Sequence, residues 1–530
     1  YEFQNLDYSK NFKGSRHVLN SVLYFGNFKI FTNGSSLQSD SEEFKSTFFR
    51  LNNVATYSFK KAWVGGKVTI EDNQVKAIAN DSLTPISQKF NAYEVYTGIG
   101  DSTKVFAEIG YRYRVNDSIR NSILKKVSTS NDYYLKSRII NSSRAQLSVF
   151  ANYRVLKDED NIEEDEQSLN SRLLYNQSLL NGSIRLNTAI ESNNGVLPQQ
   201  EFTYVKVAPG EGIYTWIDYN DNGVQELEEF EVAQFQDEAE YVRILLPNQV
   251  FVKIRGTKFS QTLTLNPQQW STRDGLRESL SHFYNQTSYL IDKKVKRDDD
   301  IFIINPFEDA GADELSQISN FRNALYFNRG KQKFTTTYTF LSTTNRNFLS
   351  IGLVQSKLKS HQLNFNHKVW TNWLFNVRGA LGENKNLTEN FESRNFTLET
   401  SELNPKISYL LSSQTRFDVF YQFLNKENQI GSREQLDQQK IGVSFSYSNM
   451  QKISLNGEFN YIDNSFTGNA FSPVGYQILE GLQPDINLTW RFLLQKKITK
   501  FLDLNLSYFG RKSETSKAVH TGSVQLRAYF

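Results

Sequence analysis

The chain has 530 residues, 60 Lys and Arg against 57 Asp and Glu for a formal net charge of +3, and no cysteine. The even balance of signs argues against a nucleic-acid binder, which gathers basic residues on one face, and the lack of cysteine removes disulfide staples, thiolate metal ligands and thiol chemistry. Only 38% of residues are hydrophobic and mean hydropathy is -0.53, yet 14% are aromatic, and no run approaches the roughly 18 apolar residues of a membrane-spanning helix.

Tyr1 opens the chain with neither a basic n-region nor an apolar h-region, so a signal peptide is expected to have been cleaved or to lie in a longer precursor. A chain of this length would ordinarily hold several soluble domains. No clear domain break marks it, and one large sheet is the simpler expectation.

Period-two alternation begins with Val22, Tyr24, Gly26, Phe28 and Ile30 opposite Leu23, Phe25, Asn27 and Lys29, which predicts a first strand. Further strands are predicted over Thr47 to Phe59, Trp63 to Glu71, Ala92 to Ile99 and Val105 to Val115. In the last of these, Ile109, Tyr111 and Tyr113 oppose Glu108, Arg112 and Arg114. After Leu147 to Val155 an acidic connector, Asp158 to Glu166, is expected to be solvated, and strands resume over Leu169 to Ser178 and Ser183 to Glu191.

An acidic insert over 209–248 interrupts the pattern. Val250 to Leu265 restores it, Pro267 to Ser281 suggests a short helix starting near Ser271 or Thr272, and an irregular block over 292–319 holds Lys293, Lys294, Lys296 and Arg297 in what reads as a solvated loop. Beyond it the alternation is nearly unbroken. Strands are predicted over Phe334 to Phe340, Phe348 to Val354, Leu363 to Val369, Phe375 to Leu381 and Phe396 to Leu411, then around Phe417 to Phe423, Ile441 to Tyr447 and Ile453 to Tyr461.

Two ribbons end the chain. Leu502, Leu504, Leu506 and Tyr508 oppose Asp503, Asn505 and Ser507, and Val524, Leu526, Ala528 and Phe530 oppose Ser523, Gln525 and Arg527. This ending resembles the terminal strand of bacterial outer-membrane β-barrels. The resemblance implies an all-β fold, a large antiparallel transmembrane β-barrel of about 24 strands in a range of roughly 20–26, with long extracellular loops, an apolar face toward membrane lipid and a location in the outer membrane. A soluble β-sandwich has the same periodicity. The connections favour the barrel, because tight turns at 412–414, 448–451 and 495–498 alternate with longer ones at 425–438, 462–483 and 512–517, putting Phe530 on the periplasmic side. Strands of about ten residues suit a tilted crossing, and Glu108, Arg112, Arg114, Arg154, Arg416, Asp418, Glu458 and Asp503 are expected to form a salt-bridged lumen wall.

Inside the insert, Asp218, Asn220, Asn222, Gly223 and Glu229 satisfy D-x-[DN]-x-[DN]-G-x5-E. Oxygen-bearing side chains at alternate early positions can reach one point, Gly223 permits the reversal, the Val224 carbonyl adds an oxygen, Glu226 coordinates directly or through water, and Glu229 closes the shell. The stretch 218–229 resembles the EF-hand loop, which implies bound Ca2+ in a structural role. Its flanks depart from that family: Ile213 to Ile217 reads as a strand, and only Glu228 to Glu238 could form a helix. An acidic turn using Asp, Asn and Gly for its geometry is the competing account. Gly212 to Glu231 is also similar to a stretch in envelope proteins of Bacteroidota.

The five histidines, His17, His282, His361, His367 and His520, are scattered, and no nucleophile elbow, phosphate loop or zinc-protease motif occurs. The leading expectation is a non-enzymatic component of an envelope protein transport or biogenesis assembly, with outer-membrane or periplasmic protein partners and no nucleic acid. Alternatives are a stand-alone pore, an outer-membrane hydrolase and a soluble calcium-binding surface protein.

Overall fold

Alternating side chains leave each strand with two dissimilar faces, and the chain satisfies both by laying consecutive strands side by side. The computed structural model describes residues 1–9, 12–159, 165–199, 201–246, 250–297, 305–308, 311–331, 333–349, 352–449 and 452–529. Twenty-four strands form one antiparallel sheet in which every strand pairs with its predecessor and successor in the chain, from Glu2–Ser9 to Val519–Ala528. A separate four-stranded sheet interrupts the meander between the eleventh strand, Ile184–Gln199, and the twelfth, Val250–Leu265. The two edge strands run antiparallel to one another, and no ladder joins them among the described residues.

The faces differ as a membrane requires. On the strands Phe396–Leu410 and Gln435–Asn449, Leu403, Ile407, Ile441 and Val443 point outward and are about half exposed. Glu399, Asp437 and Gln439 continue the same outward rows toward one end, so the apolar band covers only part of each strand. Most sheet strands are 13–17 residues long, about five more than a tilted crossing needs. With a rise near 3.3 Å and a tilt near 40°, the surplus lifts the polar rim about 12 Å above the lipid. The fold is that of a transmembrane β-barrel with a polar interior.

The inner wall carries five of the eight expected lumen charges in ion pairs: Glu108 with Lys136 at 3.5 Å, Arg154 with Asp132 at 3.9 Å, Arg416 with Asp418 at 2.6 Å and Glu458 with Arg491 at 2.8 Å, while Arg114 donates instead to Asn116 at 2.7 Å. Glycines on this wall sit beneath rings. Gly65 lies under Tyr96, Gly98 under Trp63 and Gly110 under Tyr134, where a Cβ would come within 2.4 Å of the ring atoms. The rings then reach polar partners across the wall, Trp63 Nε1 donating to Glu108 at 2.9 Å and Tyr134 Oη to Glu94 at 2.6 Å. An aromatic covering a cross-strand glycine restores the packing that the missing side chain gives up.

Several expectations change. Val22 to Ile30 is a hairpin, because Gly26 at φ 60 reverses the chain before Phe28 and so pairs Leu23 with Ile30. Phe348 to Val354 is likewise split, between strands ending at Leu349 and starting at Gly352. Glu2–Ser9, Ile123–Asn141, Phe283–Lys296 and Glu314–Phe327 are strands whose mixed polar composition hid them. The last two take up both ends of the block 292–319, as far as Lys296 and from Glu314. Lys293 there is buried, bonding Glu314 at 3.3 Å and the Glu308 carbonyl at 2.5 Å. Glu166 belongs to a strand and holds Arg297 at 2.5 Å; the connector before it lies largely outside the described residues, as does Phe530. Of the connections predicted as long, 425–438 shrinks to six residues between Asn428 and Gln435, whereas 462–483 stays long, running from Thr467 to Asp485 and carrying the helix Pro473–Leu479, and 512–517 becomes the link between Ser513 and Val519. The tight turn predicted at 495–498 falls instead between Thr499 and Leu502. The helix after Pro267 starts at Leu276.

An arginine placed in the apolar band should be far costlier than one above it. Val443→Arg is expected to lose about 2–4 kcal/mol and Gln439→Arg less than about 1 kcal/mol, measured by urea unfolding in lipid vesicles with the folded fraction read from unheated gels.

Candidate functional site: a strap across the barrel mouth

The insert is built around its own small aromatic core. Its strands, Phe202–Lys206, Tyr214–Trp216, Phe230–Val232 and Tyr241–Leu245, pack Phe230 face to face on Tyr204 with ring centres 4.0 Å apart and edge-on to Tyr241 at 5.1 Å. It starts at Phe202, earlier than the boundary at 209. The predicted exit helix over Glu228 to Glu238 is instead two single 3-10 turns, Leu227–Glu229 and Gln236–Glu238, around the strand Phe230–Val232. The backbone there bonds to the insert sheet and cannot also close a helix ladder.

What the insert touches defines the site. Arg511 lies on the twenty-third strand, Leu502–Ser513, eleven strands on from the insert's exit and thus on the opposite wall. Its guanidinium donates to Asp237 at 2.5 Å and Glu238 at 2.6 Å and covers the Phe235 ring at 4.2 Å. Arg394, in the turn between the seventeenth and eighteenth strands, donates to the Glu228 carbonyl at 2.8 Å, the Phe230 carbonyl at 3.1 Å and the Glu231 carboxylate at 2.7 Å. From the connection after the twenty-first strand, Gln477 donates to Glu231 at 3.0 Å and Tyr476 Oη accepts from the Gln234 amide at 3.2 Å. A segment rooted on one wall and gripped at three places round the rest is a strap across the mouth. The same contacts require the sheet to curl round on itself.

The strap rests on a shelf that the barrel builds for it. The helix Pro473–Leu479 starts with Pro after Ser472, whose hydroxyl accepts from the Gly475 amide at 3.0 Å, and ends at Glu480 in the left-handed region at φ 54. Lys426, on the inner wall, caps its C-terminal end by donating to the Ile478 carbonyl at 3.0 Å and to Glu480 at 2.6 Å, satisfying carbonyls the helix leaves free. Val474, Ile478 and Leu479 bury against Phe396, Leu398 and Leu436 of the wall. The shelf is therefore held by an apolar cluster rather than by loop contacts alone.

Charge at these contacts is far from neutral behaviour. Burial pushes the Glu231 carboxyl above the usual range although Arg394 and Gln477 oppose it, and burial also raises Glu238 against the pull of Arg511. Burial would raise Asp237 too, but its hydrogen bond and attraction to Arg511 together hold it below the usual carboxylate range. Tyr476 is pushed up to about 12, chiefly by burial.

The predicted calcium loop lies in the strap. Asp218 accepts from the amides of Asn222 at 3.1 Å and Gly223 at 2.8 Å, Asn220 accepts from the Asn222 amide at 3.0 Å, and Asn222 accepts from the Val224 amide at 2.6 Å. Asn220 and Glu226 meet side chain to side chain at 2.9 Å. Glu229 is 2% exposed and takes the Trp216 indole N–H at 2.8 Å on one oxygen, while the other has no hydrogen-bond partner. Asp218, Asn220, Asn222 and Val224 thus close one turn, Glu226 joins it through Asn220, and Glu229 lies in the 3-10 turn Leu227–Glu229 that follows. Among the described residues, no three acidic or histidine side chains converge on a single metal position. The residues that grip the strap, Arg394, Tyr476, Gln477 and Arg511, were not singled out as site residues. Arg511 falls between the predicted ribbon ending at Tyr508 and the predicted connection at 512–517, and its partners lie more than 270 positions away in sequence.

No protein-family model and no curated protein matches the sequence. Among solved structures, the FrpB iron transporter of Neisseria meningitidis (F3-3 variant) aligns over 95% of this chain and 81% of its own at 9% identity and a TM-score of 0.35. The copper transporter OprC aligns over 96% and 72% at 10% identity and a TM-score of 0.32. The ferric preacinetobactin receptor BauA of Acinetobacter baumannii aligns over 99% and 78% at 9% identity and a TM-score of 0.31. Likeness this distant adds nothing to what the strand ladders establish. By its own ladders and its two-faced wall, the chain is an outer-membrane β-barrel.

Removing one partner of a buried ion pair strands the other. Arg394→Ala is expected to weaken strap docking by about 3–5 kcal/mol, raising hydrogen exchange over 228–238 by at least about 100-fold while exchange in the barrel strands stays unchanged.

Proposed function

We propose that the chain is the membrane-spanning conduit of an envelope transport or biogenesis assembly, with its loop-bearing mouth closed at rest by the strap. A sheet of 24 strands curled into a cylinder, with strands spaced about 4.8 Å and tilted about 40°, has a backbone diameter of about 48 Å. A lumen that wide needs closing if the membrane is to stay tight. The observation that carries the proposal is the grip of an inner-wall arginine, Arg511, on a segment rooted on the far wall. A permanently open pore has no use for such a contact.

Partner proteins are proposed from the sheet's edges. Among the described residues no ladder joins Glu2–Ser9 to Val519–Ala528, and backbone groups at such a seam need a partner in hydrocarbon. A neighbour that covers or bridges the seam satisfies them. Val524 and Leu526, 69% and 62% exposed, give that neighbour an apolar footing beside the seam. The resemblance of Gly212 to Glu231 to envelope proteins of Bacteroidota supports a chain from that lineage.

Two measurements test the reading. In planar bilayers the purified wild type should be nearly silent and Arg511→Ala should show frequent large openings; steady conductance from the wild type favours a stand-alone pore. Extraction in mild detergent should bring other envelope proteins with the barrel, and recovery as a lone monodisperse species would refute the assembly.

A further inference from the structure

We propose that the strap binds one hard divalent cation of the calcium class at 218–229 and that occupancy tightens the Arg394 clamp. The first argument is an electrostatic deficit. Glu229 is buried, and its Oε1 lacks any hydrogen-bond partner. A carboxylate oxygen withdrawn from water with nothing in exchange costs several kcal/mol, and a bound cation removes that cost. The other Glu229 oxygen, Oε2, accepts from the Glu226 amide at 3.4 Å, which holds the carboxylate at the end of the loop.

The second argument is donor type. Asp218, Asn220, Asn222 and Glu226 offer side-chain oxygens and no thiolate or imidazole along the loop, and Asn220 already reaches Glu226 by donating its Nδ2 to that carboxylate at 2.9 Å. Oxygen donors without nitrogen or sulfur suit Ca2+ rather than zinc or copper. Asp221 and Gly223, at φ 55 and φ 71, supply the reversal that folds the early positions back over the turn. Closing the shell requires Asn220 and Glu226 to exchange their mutual bond for the cation.

The third argument links the site to the clamp, and it rests on the strap acting as a closure. Glu229 sits between the two residues whose carbonyls Arg394 holds, Glu228 and Phe230. A cation that fixes Glu229 fixes both carbonyls and, one residue further, the Glu231 carboxylate that Arg394 also takes. With no second loop to pair with, affinity is expected in the weak extracellular class, a Kd of about 0.1–1 mM.

The test uses the whole barrel in detergent and terbium as the probe. Trp216 donates to Glu229, so its excitation should sensitise bound Tb3+, with emission displaced by Ca2+ and weakened at least about tenfold in affinity by Asp218→Asn and by Glu229→Gln. Calcium should also slow hydrogen exchange over 228–238 in the wild type but not in Asp218→Asn, which leaves the buried Glu229 intact and so guards against simple misfolding of the insert. Absence of sensitised emission from the wild type, emission indifferent to both substitutions, or binding without any change over 228–238 would overturn the proposal. The closure reading fails separately: if Arg511→Ala opens no conductance, the strap is no gate whether or not terbium binds.

Discussion

Hydrocarbon offers a backbone N–H or C=O no partner, and this single constraint organises the molecule. Every group at membrane depth has to find its bond in the neighbouring strand, so the chain can cross only as a continuous ladder. Once the ladder is fixed, period two divides the side chains into an outward apolar row and an inward polar one, and a slip of one residue would exchange them. The inner row then has to neutralise itself. It does so with alternating charges on adjacent strands, as between Arg491 and Glu458 or Lys136 and Glu108, and with rings that fill the space over cross-strand glycines.

The mouth obeys different rules because water reaches it. There the strands outgrow the lipid, and the polar collar they form has room for elements a membrane would reject: a seven-residue helix, single 3-10 turns and a sheet of three- to five-residue strands. These pieces are too small to fold alone. Their stability is borrowed from the wall, through Leu398 and Leu436 for the helix and through Arg394 and Arg511 for the strap.

The barrel was largely legible in the sequence and the site was not, for a physical reason. Ladder pairing follows from nearest neighbours in the chain, so alternation in Phe417 to Phe423 or Leu502 to Tyr508 suffices to place those strands and their lipid faces. It failed where composition blurs the two faces, as in Ile123–Asn141, and where a turn needs only two residues, as at Gly26. It also underestimated strand length, since above the lipid both faces of a strand are polar and positions such as Asp437 read as loop. The strap's acidic loop announced itself through spacing. Its partners could not, because nothing local in the sequence links Arg511 to Asp237 or Arg394 to Glu231.

Both roots of the strap, Gln199 and Val250, are ladder partners on adjacent strands. A cap held that way hinges along one line and never diffuses away. Were the Arg511 contact broken, the cap's charged face would stay within a few nanometres of that guanidinium, an effective concentration in the millimolar range, and rejoining it would be a unimolecular event.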